Sequence, residues 1–83
     1  MDKVLVEVFV PAINHSFDIF IPLQSPMYEV LELIKRAVTD MSDGRFIADN
    51  NTALCHRETG TIVNINLSVY ELEICNGSKL MLI

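Results

Sequence analysis

The sequence predicts an α+β domain in which a mixed sheet of about five strands, in the order β-β-α-β-β-β, carries one helix packed across one face. Three observations predict it. Valines recur at period two from Val4 to Val10, apolar residues recur at three- and four-residue spacing after Ser25-Pro26, and an unbroken apolar run, Leu80-Met81-Leu82-Ile83, stands at the end of the sequence.

Each element has a local reason. Val4, Val6, Val8 and Val10 alternate with Leu5, Glu7 and Phe9, so Lys3 to Val10 reads as a strand with a buried valine face. Pro11-Ala12-Ile13-Asn14 supplies a turn. Phe17, Ile19 and Ile21 then alternate with Ser16, Asp18 and Phe20 in a second strand closed by Pro22, which makes an antiparallel hairpin. Ser25-Pro26 is a helix start, because the serine oxygen can accept an orphan amide hydrogen bond and proline at the first helical position has no N–H to leave unsatisfied. Met27, Val30, Leu31, Ile34, Ala37, Val38 and Met41 form the apolar stripe of a helix about four turns long. Glu29, Glu32, Lys35, Arg36 and Asp40 form its solvated face, where Glu32 and Arg36 stand at i,i+4. Asp43-Gly44 offers a left-handed stop.

The second half reads less regularly. Arg45 to Asn51 is a polar loop, Thr52 to Arg57 a short strand, Glu58-Thr59-Gly60 a turn and Thr61 to Ile65 a weaker strand. Leu67 to Leu72 forms one helical turn with Leu67 and Leu72 pointing inward. Asn76-Gly77 precedes Lys79 to Ile83, whose apolar character is that of a central strand buried on both faces. Setting the first strand beside the last, in parallel, with the helix across one face gives a β-grasp, with residues 1–83 as a single domain.

Size and charge bound the function. With 83 residues, 51% hydrophobic, 20% charged and a formal net charge of −5, the chain is one small globular unit. A chain of this length buries roughly 60–65% of its unfolded surface, which leaves no room for a second domain or a deep substrate cleft. Lys3, Lys35, Arg36, Arg45, Arg57 and Lys79 are scattered, whereas nucleic-acid binding and basic membrane-surface helices need clustered cations. Glu7, Asp18, Glu29 and Glu32 interrupt every apolar stretch, so no direct membrane insertion is expected, and Met1 to Glu7 lacks the basic start of a signal peptide. The cytoplasm is the expected location. Cys55 and Cys75 are expected to be free, buried thiols, with Cys55 facing the core.

The end of the sequence carries a resemblance. Leu67-Ser68, followed by Ile74-Cys75-Asn76-Gly77-Ser78-Lys79-Leu80, resembles the L-S…I-x-N-G-D-x-L ending of ubiquitin-like proteins, most closely the YukD/EsaB family associated with Gram-positive type VII (WXG100) secretion. Here the segment is two residues longer than the family pattern and has Ser78 in place of the final aspartate. The resemblance implies a ubiquitin-like fold and a protein partner, a membrane-associated secretion ATPase or channel component. Ubiquitin conjugation and sulfur carriage require a flexible Gly-Gly tail, and Leu82-Ile83 stand in its place, so a non-conjugated protein is expected.

No catalytic, cofactor or metal constellation is expected. His15-Ser16 and Cys55-His56 are sequence neighbours whose side chains point apart on extended backbone. His15, Cys55, His56 and Cys75 lack the close ligand pairs of a zinc site, and Asp2, Glu7 and Asp18 read as a solvated acidic edge rather than a calcium loop. Gly44, Gly60 and Gly77 are isolated turn glycines, not a phosphate loop. Tyr28 and Tyr70 are expected at the edge of the core with wet hydroxyls.

The candidate site is a surface. If the valines face the helix, Leu5, Phe9 and Phe20 emerge on the opposite face of the sheet as apolar anchors, with Glu7 and Asp18 as polar discrimination around them. The alternatives stand open: a partner covers these residues, a loop such as Arg45 to Asn51 folds over them, or a bulge rotates Phe9 inward. The function expected is a ubiquitin-like adaptor that binds a type VII secretion component. The alternatives are a small β-grasp regulatory subunit of a cytosolic enzyme complex, and a homodimer formed through the same face.

Overall fold

Every second residue of the first strand is buried, as its valine alternation requires: Val6, Val8 and Val10 have no exposed surface and Val4 has 9%. The computed structural model describes residues 2–83. Its elements are β1 (Lys3–Val10), β2 (His15–Pro22), α1 (Met27–Met41), β3 (Leu54–His56) and β4 (Lys79–Leu82). They form a four-stranded sheet of order β2-β1-β4-β3, in which β1 and β4 run parallel and both other pairings are antiparallel. The α+β class and the parallel placement of first and last strands are those the sequence predicts.

The hairpin turns through a 3-10 segment, Pro11–Ile13, and Asn14 in the left-handed conformation, φ 49°. The helix stripe closes over the valine face. Met27, Val30, Ile34 and Val38 are fully buried with Ile21, Leu80 and Leu82, and each such side chain contributes about 1.5–3 kcal/mol relative to exposure. Met41, at the end of the stripe, instead stands half-exposed at 51%.

Pro26, not Ser25, occupies the position preceding the helix, and no side chain caps it. The orphan amides find backbone instead: Met27 N–H donates to the Leu67 carbonyl at 2.8 Å and Tyr28 N–H to the Ile65 carbonyl at 3.0 Å. The segment that supplies them continues alongside, with Val69 N–H on the Ser25 carbonyl and Tyr70 N–H on the Leu23 carbonyl. That detour explains why Thr61 to Ile65 is no fifth strand. It keeps one bridge, Cys55 to Ile62, before the chain leaves the sheet for the helix start.

The next turn is held by a reciprocal cap. Ser68 N–H donates to Glu71 Oε1 and Glu71 N–H to Ser68 Oγ, each at 3.0 Å. The Ser68 backbone N–H, and after it the Ser68 hydroxyl, hold the Glu71 carboxyl below its ordinary range. Val69 and Ile74 anchor this segment in the core, whereas Leu67 and Leu72 are only half-buried. Helix α1 ends where Asp43 and Gly44 take positive φ, as the sequence predicts. Its surface pair is Glu32 with Lys35 at 3.0 Å, not Glu32 with Arg36. The following loop folds back because Ser42 Oγ accepts Phe46 N–H and Phe46 is buried at 8%.

Candidate functional site

The registers place all five candidate residues on the face away from α1 and set them in rows. Directly opposed residues of an antiparallel ladder share a face. Leu5 lies opposite Phe20, Glu7 opposite Asp18 and Phe9 opposite Ser16, while β4 adds Lys79 beside Glu7 and Met81 beside Phe9. One row therefore runs Asp18, Glu7, Lys79. The row on one side of it is Ser16, Phe9, Met81, Cys55, and on the other side Phe20 and Leu5 stand as a pair.

The rows differ in what covers them. Arg57, just past β3, reaches over the face: its Nη1 donates to Glu7 Oε2 at 2.9 Å, and its guanidinium carbon sits 4.4 Å from the centre of the Phe9 ring. Phe9 is thus half-buried beneath a cation rather than free, a correction to its expected role as an open anchor. The Arg45 to Asn51 loop does not cover the face; it runs beside α1, where Ile47 to Asn50 line a groove with Glu32 and Arg36. The exposed remainder centres on Phe20, 65% exposed, with Leu5 half-buried beside it and Asp18 alongside.

Leu5 is held from behind. Its N–H donates to Asn76 Oδ1 at 2.7 Å, and its carbonyl accepts Gly77 N–H at 2.8 Å. Gly77 has φ 88°, a conformation that glycine adopts without strain, so the Asn76-Gly77 turn fixes the apolar pair by gripping both backbone groups of Leu5.

Arg57 is the residue that sequence reasoning missed, because its place depends on the order of four strands. The cysteines also differ from expectation. Cys75 is exposed, and Cys55, although buried, lies opposite Met81 on the face away from the helix rather than in the main core. Tyr28 and Tyr70 are more exposed than edge-of-core residues, at 52% and 65%. His15 packs against Phe17 with ring centres 4.8 Å apart. Among the described residues, no group of three or more His, Cys, Asp or Glu side chains could hold a metal ion, and no helix is long and apolar enough to cross a membrane.

No family model matches the sequence, and no curated protein matches it. Solved structures do match in shape. The ubiquitin-like domain of the type VII secretion system protein EccD1 of Mycobacterium tuberculosis superposes with a TM-score of 0.67 at 16% identity, over 100% of this chain and 99% of that one. A protomer of the ESX-3 core complex matches with a TM-score of 0.74 at 17% identity; 99% of this chain is covered but only 16% of that one. A chain of the toluene 4-monooxygenase HD complex with 4-bromobenzoate gives 0.76 at 10% identity, over 98% and 96%. Helix, sheet order and these superpositions agree: the chain has the ubiquitin-like β-grasp fold.

Proposed function

We propose that this chain is a non-conjugated, non-enzymatic ubiquitin-like accessory of a bacterial type VII secretion system, of the YukD/EsaB kind. It acts in the cytoplasm by docking its open sheet face on a membrane-associated ATPase or channel component. The observation that supports the secretion reading is the near-complete superposition on the EccD1 ubiquitin-like domain, together with the Asn76-Gly77 ending. The Leu5–Phe20 pair would be the apolar anchor, Asp18 the polar discriminator, and the Glu7–Arg57–Phe9 cluster the rim.

The test is export. Deleting the coding sequence in the source organism is expected to reduce secretion of WXG100 substrates, with wild type restoring it and a Leu5→Asp, Phe20→Asp variant failing to. Undiminished export in the deletion strain would refute the reading.

The monooxygenase likeness favours a second reading, a small regulatory subunit of a soluble enzyme complex. That reading predicts a stoichiometric soluble complex whose turnover changes when this chain is added, with export unaffected.

A further inference from the structure

The two edges of the sheet are treated differently. Beyond β3, Val63 N–H donates to the Leu54 carbonyl and His56 N–H to the Thr61 carbonyl, each at 2.9 Å, so that edge is closed by the chain itself. Beyond β2 no backbone hydrogen bond is made by His15–Pro22 to anything but β1, among the described residues. In an antiparallel pair alternate residues turn their N–H and C=O groups outward, so this eight-residue strand presents a row of free donors and acceptors. Of the usual protections of such an edge, only a charged side chain, Asp18, is present. The register with β1 runs without a bulge from Val10↔His15 to Lys3↔Pro22, β2 contains no lysine, and its only proline is its last residue.

The side chains along the edge specify what would fit. On the open face, Asp18 forms no ion pair among the described residues, and its cross-strand neighbour Glu7 is engaged by Arg57. On the helix side, Phe17 and Ile19 lie at the margin of the core, and half-exposed Met41 lines a cleft with Phe17. A second copy of this chain fits poorly. Two-fold antiparallel pairing centred on Asp18 opposes two carboxylates, pairing centred on Ile19 sets each Asp18 against Phe20, and the net charge of −5 adds repulsion.

We propose that the free edge of β2 receives an extended segment of a partner protein as a fifth strand. Its apolar side chains would alternate with lysine or arginine, the cations on the Asp18 side and the apolar residues against Phe17, Ile19 and Met41. This rests on the edge alone and holds whether or not the partner belongs to a secretion system.

The probes are two capped heptapeptides, Val-Lys-Val-Lys-Val-Lys-Val and the same sequence with glutamate for lysine, titrated into the protein at low salt with NMR detection of amide exchange. The lysine peptide is expected to slow exchange at alternate amides of His15–Ile21 and to bind about fivefold tighter than the glutamate peptide. Asp18→Lys, an exposed substitution whose fold the same spectra check, is expected to reverse that preference. Protection elsewhere only, no protection by either peptide, or a charge preference unchanged by Asp18→Lys would overturn the proposal. So would protection of β2 that rises with protein concentration in the absence of peptide, which would assign the edge to a second copy.

Discussion

Arg57 and Glu7, 50 residues apart in sequence, are joined at 2.9 Å across the open face of the sheet, and the same guanidinium lies over Phe9. One side chain thus ties the β3 end to β1 over the intervening β4, and it divides the face into a covered half and an open half. Both partners are about a third exposed, at 38% and 34%, so ion pairing and ring stacking together are worth about 1 kcal/mol. Arg57→Ala is expected to lower unfolding stability in urea by that amount. Arg57→Lys is expected to recover only part of it, because an ammonium does not stack as a planar guanidinium does.

The turn behind Leu5 makes a sharper prediction. Nothing lies within 4 Å of a methyl group added at Gly77, so Gly77→Ala meets no clash and its cost is the positive φ alone, about 1–2 kcal/mol. Asn76→Ala, which deprives the Leu5 N–H of its acceptor, is expected to cost about 1 kcal/mol. Denaturant melts with an unchanged slope would check both. If Gly77→Ala matched wild type, the backbone argument would be wrong.

Core and surface substitutions should separate cleanly. Leu80→Ala removes a fully buried side chain from the central strand and is expected to cost about 3 kcal/mol, whereas Phe20→Asp on the exposed face should change stability by less than about 0.5 kcal/mol. Thermal unfolding followed by circular dichroism measures both.

The thiols should also react unequally. Cys75 is exposed and Cys55 buried. A thiol reagent is expected to modify Cys75 promptly in the native protein, and Cys55 only at the rate of global or local opening. Prompt modification of both would contradict the burial of Cys55 on the covered half of the face.

Glu71 supplies a pH dependence. Its carboxyl is held below the ordinary glutamate range by the Ser68 backbone and hydroxyl donors, so the ionised form is favoured in the folded state. A depressed folded-state value gives stability that is present at neutral pH and lost as pH falls through that value. The stability difference between wild type and Glu71→Gln is therefore expected to shrink towards acid, and NMR titration of the Glu71 carboxyl should show the lowered midpoint.

Elements whose cause is local were legible in the sequence. The valine alternation gives β1 and its buried face, the three-four spacing gives α1, and Asp43-Gly44 gives its end, since each depends on residues within a few positions. The face carrying Leu5, Glu7, Phe9, Asp18 and Phe20 followed from the same alternation. Features with distant causes were not legible. The helix start is capped by Leu67 and Ile65 carbonyls some 40 residues away in the chain, not by Ser25, and Arg57 finds Phe9 only once four strands are ordered. Ser68-x-x-Glu71 lies between: its spacing is that of a reciprocal cap and points to the late turn from sequence alone. Phe46, a lone aromatic in a polar loop, is another such signal, buried because Ser42 turns the chain inward.

The open half of the sheet face, centred on Phe20, is the docking site proposed for this protein. The most direct measurement is capture from detergent-solubilised membranes of the source organism by wild type, Phe20→Asp and Tyr28→Asp, with Tyr28 serving as a solvent-facing aromatic on the helix, 52% exposed against 65% for Phe20. The expected result is a type VII ATPase or channel component retained by wild type and Tyr28→Asp and lost from Phe20→Asp, all three remaining folded. Retention by Phe20→Asp, or equal loss from both variants, would contradict it.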